Sequence, residues 1–318
     1  MLAAVMLKMG TYGLHRICLP MFPGAARRCA GWIAVLAIIG IIYGALVAMV
    51  QPNVKKLVAY SSVSHLGFVV LGIFSFTRTG LDGAVFQMLA HGISTGALFA
   101  LVGMMYERRH SLEIADYGGV ATPAPWLSTV FLITTFASAG LPLLSNFVGE
   151  FLVLQGAAQA HFQWAVFAAI GVILAACYLL WLYQRVFYGE TPDEVRSHMS
   201  DLSAREWSAV IPLLAMMLWL GVGSQTFLPR IGAVTGPILQ KTTENVPFQV
   251  RAPEPEGFRD IRSRLWPSAK SPEIRNPTSF FTLSIPLPRL PIVGPEGPML
   301  PVRRSVAPAR HGYDRRRL

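Results

Sequence analysis

The sequence predicts an all-α fold: a polytopic transmembrane helical bundle of about seven spans, one of them broken, with a disordered proline- and arginine-rich C-terminal tail. Three observations predict it. Of 318 residues, 53% are hydrophobic and only 14% charged, where a soluble domain carries about a quarter charged residues. The apolar residues come in runs approaching ~20, the length a helix needs to cross a hydrocarbon core of about 30 Å. The charges gather between those runs and at the C-terminal end.

The net charge of +10 has the sign of a nucleic-acid binder, but its location excludes that reading. Residues 241–318 hold 14 Lys and Arg against 7 Asp and Glu, so most of the excess belongs to the tail, and no nucleic-acid partner is expected. Cys18, Cys29 and Cys177 share no metal-ligand spacing. Cys177, in "ILAACYLLWL", reads as a small buried residue, and Cys18 and Cys29 flank one loop, which leaves a disulfide open.

The apolar runs fall at 1–19, 31–51, 54–76, 82–106, 124–157, 163–188 and 206–228, bounded by Pro, Gly and charge clusters. The first, "MLAAVMLKMG", carries its lysine after the apolar residues, the reverse of a secretory leader. The second, sixth and seventh carry no titratable residue at their centres. The third and fourth each carry one histidine. The fifth is too long for one straight crossing, and "ASAGLPLLSNF", with Gly140 and Pro142, predicts a helix break in its middle. A break at membrane depth frees backbone carbonyls and amides, which is tolerated where the chain faces protein or a wet cavity.

Lys55/Lys56, Arg108/Arg109 and Arg185/Arg196 fall at one end of these spans, and Arg27/Arg28 and Arg78 at the other. The first group, being larger, is the expected cytoplasmic side. Residues 1–228 are thus the expected transmembrane domain and 229–318 the tail. Of 23 prolines, 13 lie in residues 241–318, in stretches such as "SIPLPRLPIVGPEGPMLPVRR" that cannot span.

Four spans each carry one ionisable residue near the middle: Lys8 in "AAVMLKMGTYGL", His65 in "YSSVSHLGFVVLG", His91 in "VFQMLAHGISTGALF" and Glu150 in "SNFVGEFLVLQG". Small polar neighbours accompany them: Tyr12, Ser61, Ser62, Ser64, Gln87, Ser94, Thr95, Ser145 and Asn146. A charge at the bilayer centre costs at least about 2.5–3.5 kcal/mol, so such groups face one another or water. Histidine changes charge near neutral pH. Lysine, two histidines and a glutamate at one depth are therefore the expected stations of a proton path. Each alone has a plainer reading: a structural hydrogen bond between helices for either histidine, snorkelling for Lys8, a helix-dipole partner for Glu150. Their occurrence together favours the path.

Arg16, Arg108, Arg109 and Arg185 read as interfacial anchors. No GxGxxG, P-loop, GxSxG, HExxH or CxxC motif occurs. His65 and His91 lack a second pair to hold haems, and the Met and aromatic residues lie on lipid-type runs.

The wording and order of "MLKMGTYGLHR", "QPNVKKLVAYSSVSHLGFVVLGI", "GAVFQMLAHGISTGALFALVGMMYER" and "GLPLLSNFVGEFLVLQG" resemble subunit M of bacterial NADH–quinone oxidoreductase (respiratory complex I), the counterpart of mitochondrial chain 4 and a homologue of Mrp-type cation/proton antiporters. The resemblance covers about residues 1–228. It implies a proton-translocating membrane-arm subunit built on inverted helical repeats, with Lys8, His65, His91 and Glu150 matching lysine, histidine and glutamate positions of the family's polar axis. It implies a bacterial cytoplasmic membrane, adjacent antiporter-like subunits and the lipid bilayer as partners, and no cofactor or metal on this chain. NADH, FMN, iron–sulfur clusters and quinone are implied on partner subunits. Family members carry about fourteen helices, and the resemblance begins at the eighth. A separate chain supplying the remaining helices, a truncated product, a component of an Mrp-type Na⁺/H⁺ antiporter or hydrogenase-linked pump, and a non-conducting assembly fragment are the alternatives this leaves.

Overall fold

The computed structural model describes residues 5–243, and among them helices are the only extended elements. In chain order they are α1 (Leu7–Gly13), a π-helical turn (Leu14–Cys18), α2 (Leu19–Met21), α3 (Pro23–Met49), α4 (Val54–Phe74), α5 (Arg78–Arg109), α6 (Pro125–Ser138), α7 (Ser145–Ala160), α8 (Phe162–Phe187), α9 (Asp193–His198), α10 (Ala204–Val222) and α11 (Leu228–Thr243). Short 3₁₀ turns at Ile114–Asp116 and Ser224–Thr226 join them. Two units divide the chain, Met1–Val250 and Arg251–Leu318, and every described residue belongs to the first.

Over its described residues each expected apolar run is mainly helical, apart from the break in the fifth. Among the described residues α3, α4, α5, α8 and α10 are individually long and apolar enough to cross a membrane. The first run is divided among α1, the π turn and α2, and the fifth is divided between α6 and α7. Local sequence explains the starts. Asn53 caps α4 by accepting from the Lys56 amide at 3.1 Å, and Thr77 caps α5 by accepting from Gly80 at 3.1 Å. Ser203 and Glu206 form a reciprocal capping box on α10. Pro23 and Pro125 occupy the first turns of α3 and α6, where a missing amide proton costs nothing.

The break between α6 and α7 sits where Gly140 and Pro142 place it. Gly140 (φ 78°) and Leu143 (φ 77°) both adopt left-handed backbone, which a leucine rarely does. A side chain at Gly221 of α10 would collide with the Leu143 backbone, so glycine there lets α10 press against the break.

Small residues bring the inner helices together. A Cβ at Gly83 would lie 2.7 Å from the Val153 amide, and one at Gly67 would lie 2.9 Å from the Ala37 carbonyl. At one end, the Val54 amide donates to Leu112 at 2.9 Å and the Ile114 amide to Pro52 at 2.8 Å, while Gly119 donates to Tyr188 at 3.1 Å. Arg108 grips both Glu206 carboxylate oxygens at 2.7 Å, and Asp201 accepts from the Trp126 and Leu127 amides at the start of α6. Arg108 is therefore more than an interfacial anchor: it ties α5 to α10.

Two expectations are corrected. Residues 229–243, assigned to the disordered tail, lie within α11. Arg78 of α5 donates to the Gly232 carbonyl at 2.6 Å, Asp82 accepts from the Thr235 hydroxyl, and Arg27 of α3 donates to the Thr243 carbonyl at 3.1 Å. One face of α11 (Ile231, Thr235, Ile238, Thr242) is buried, so apolar periodicity outweighed the cost of Pro237 in the helix. The proline-rich stretch from 244 onward lies outside the described residues. Cys177 is exposed rather than buried, because its neighbour Tyr178 takes the inward position on α8. Cys18 and Cys29 are exposed free thiols.

Candidate functional site

Three of the four singled-out residues meet in the interior. His65 of α4 is 2% exposed, His91 of α5 1% and Glu150 of α7 2%. His65 Nδ1 lies 2.8 Å from Glu150 Oε1, and Gln87 Nε2 of α5 donates to the same oxygen at 2.9 Å. The two imidazole rings face each other with centroids 5.1 Å apart and planes inclined at 44°. Tyr178 of α8 places its hydroxyl 3.3 Å from His65 Nε2, and the Thr95 hydroxyl lies 3.0 Å from His91 Nε2.

Backbone construction makes this convergence. Glu150 lies beyond the first turn of α7, whose first residue is Ser145. A dipole effect fades within that first turn, so His65 and Gln87 hold the carboxylate, and the plainer dipole reading falls away. Gly149 has no side chain where one would strike Gln87, its Cβ falling 2.8 Å from Gln87 Cα. That closeness lets α5 reach the carboxylate. Gly140 serves the site as well as the break: a Cβ there would lie 3.0 Å from Glu150 Oε2. The break thus folds back over the acid it precedes.

A second layer ties the break to α5. Ser94 donates to Asn146 Oδ1 at 3.3 Å, and Asn146 Nδ2 donates to the Ser138 carbonyl at 3.4 Å, satisfying an end of α6. His91 Nδ1, Gln87 Oε1 and Glu150 Oε2 are buried and find no hydrogen-bond partner among the described residues.

Lys8 approaches from the other side. It is 9% exposed, on the face of α1 that also buries Thr11, and α1 packs against both α4 and α5. The Thr11 hydroxyl lies 3.1 Å from the Lys8 carbonyl and 3.0 Å from Met88 Sδ of α5. His91, His65 and Glu150 thus adjoin one another, and Lys8 lies on the helix packed against the two that carry the histidines. Of the small polar neighbours, Gln87, Ser94, Thr95 and Asn146 join the site, whereas Tyr12 is 53% exposed and lies apart from it.

Tyr178 was not singled out from the sequence. A tyrosine in "CYLLWLY" has the look of a lipid-facing aromatic, and only its buried position one turn from Ala175 and Leu182 distinguishes it. His15 was missed too, although Lys8, Thr11 and His15 share one helical stripe. Among the described residues no group of three or more His, Cys, Asp or Glu is placed to hold a metal ion. What the arrangement offers is a buried cluster of imidazole, carboxylate and hydroxyl groups within hydrogen-bond reach of one another, the kinds of group that general acid–base chemistry uses.

Residues 1–176 match the family described as NADH:quinone oxidoreductase/Mrp antiporter, TM. The chain is 47% identical over 239 residues to NADH-quinone oxidoreductase subunit M of Rhodobacter capsulatus, covering 75% of this chain and 47% of that protein. It is 42% identical over 227 residues to NADH-ubiquinone oxidoreductase chain 4 of Marchantia polymorpha, covering 71% and 46%. A chain of respiratory complex I from Thermus thermophilus with bound NADH superposes with a TM-score of 0.71 at 35% identity, over 74% of this chain and 50% of that one. A chain of the Mrp complex from Dietzia sp. DQ12-45-1b gives 0.67 at 22% identity over 74% and 52%, a likeness of fold. This chain spans about half the length of the curated relatives it matches. With more than half its residues matched, and with five helices among the described residues long and apolar enough to cross a membrane, it belongs to the NADH:quinone oxidoreductase/Mrp antiporter transmembrane family as a multi-pass membrane protein.

Proposed function

We propose that this chain conducts protons as part of a membrane-arm subunit of NADH–quinone oxidoreductase, in a bacterial cytoplasmic membrane, while the redox chemistry of NADH and quinone belongs to other subunits. The observation that carries the reading is the buried contact of His65 with Glu150 beside His91, drawn from three different helices. Buried ionisable groups are costly in a bilayer, and their convergence on one another is how membrane proton relays are built.

In this reading a proton held at Lys8 passes to His91, whose ring faces His65. His65 is poised to exchange the proton with Glu150 along the 2.8 Å contact. Tyr178 keeps Nε2 of His65 paired in either protonation state, since its hydroxyl donates to a neutral ring and accepts from a charged one. Gln87 stays as a neutral donor that orients the carboxylate without titrating. Glu150, below the helix break, hands charge toward a neighbouring antiporter-like subunit. The helices that the relatives possess outside the matched region complete the conduit, in this polypeptide or in a separate chain.

The test uses the assembled oxidoreductase in sealed vesicles. With Glu150→Gln or Lys8→Ala, protons moved per electron should fall steeply while NADH oxidation by the peripheral arm persists. Unchanged stoichiometry in both variants would overturn the proposal. The family description also names the Mrp antiporters, and the fold is shared with one. That second reading predicts restored growth of an antiporter-deficient strain in high sodium, which the first does not.

A further inference from the structure

Away from the polar interior, a cavity of about 420 Å³ opens between the π turn after α1, α5 and the start of α11. Its walls are of two kinds. Leu89, Phe227 and Val234 supply apolar lining, and His15, Arg16 and Arg230 supply polar lining. His15 is 3% exposed, and its Nε2 finds no hydrogen-bond partner among the described residues. Arg16 and Arg230 make no ion pair among the described residues. Three other arginines near the span ends are ion-paired: Arg78 with Asp82, Arg108 with Glu206 and Arg109 with Glu194.

We propose that this cavity is a binding site for an anionic phospholipid, with the headgroup phosphate between Arg16, Arg230 and His15 and an acyl chain along Leu89, Phe227 and Val234. Three features argue for it. Two guanidiniums beside a buried imidazole nitrogen supply donors that fit phosphate oxygens. Apolar residues line the same cavity, which suits an amphiphile and gives a free anion nothing to bind. The site is also braced: the Arg78 and Asp82 bonds to Gly232 and Thr235 fix α11, and the π turn carries Arg16 and His15 together. The inference is independent of whether the interior conducts protons.

The experiment is native mass spectrometry of the full chain released from nanodiscs of equimolar phosphatidylglycerol and phosphatidylcholine. Wild type should retain phosphatidylglycerol selectively. Arg16→Gln with Arg230→Gln should weaken that retention about thirtyfold, the effect of two surface cations. Leu89→Trp, which fills the apolar wall and keeps both arginines, should also lose the lipid, and it stands as the test if the double variant does not fold. Excess inorganic phosphate should leave the bound lipid in place. Equal retention of the two lipids by wild type would overturn the proposal, as would unaltered retention in Leu89→Trp. Displacement by phosphate would overturn it as well, identifying a site for a free anion.

Discussion

α3 and α4 lie side by side and could hardly be treated more differently. Over their most apolar stretches, 33% of α3 is buried inside the protein against 72% of α4. Yet α3 is the more apolar helix: "GWIAVLAIIGIIYGALVAMV" contains no titratable group other than Tyr43, whereas α4 carries Ser61, Ser62, Ser64 and His65. In water the greasier helix would be the buried one. Lipid tails are as apolar as leucine, so burial brings apolar side chains little, and the polar side chains are the ones driven inward to find partners. Trp32, Leu36 and Tyr43 of α3 accordingly face outward at 78%, 65% and 64% exposure. Burial in this protein therefore reports where the polar work is located.

The comparison can be broken most severely at the α5–α7 contact. Gly149→Ala drives a Cβ against Gln87, and overpacking of that kind costs about 1–3 kcal/mol. Because the same contact aims Gln87 at Glu150, proton flux in proteoliposomes should fall along with thermal stability in detergent. Tyr178→Phe sharpens the comparison with a smaller effect. It removes a hydroxyl from His65 Nε2 at a cost of about 1 kcal/mol and should slow proton flux without preventing assembly. The smallest effect belongs to the outer helix: Leu36→Ala should change stability by no more than about 0.5 kcal/mol and leave flux unaltered. A loss at Leu36 equal to that at Tyr178 would mean α3 also faces protein.

Much of this was legible in the sequence, for one physical reason. A lone ionisable residue in an apolar run has few explanations in a bilayer, so Lys8, His65, His91 and Glu150 announce themselves. Gly140 and Pro142 likewise mark the break because neither continues a helix well. Tyr178 stayed hidden because an amphipathic aromatic suits lipid, interface and core alike. α11 stayed hidden because Pro229 and Pro237 resemble the proline-rich residues that follow. In the structure Pro229 sits in the first turn, and contacts from Arg78 and Arg27 tie α11 to α5 and α3 despite Pro237. Cys177 was misplaced by composition alone, since facing was decided by the tyrosine beside it. Type and position were readable for the long apolar helices before α11, whereas which side faced inward depended on partners distant in the chain.

The central claim is that His91, His65 and Glu150 are consecutive stations of one path. Proton flux through proteoliposomes of the assembled complex, compared among His91→Gln, Glu150→Asp and the pair together, tests it most directly. Stations in series predict that each single variant lowers flux about tenfold or more and that the double falls within about twofold of the worse single. Single variants that each retain about half the flux, with collapse only in the double, would contradict it and place the residues on separate routes.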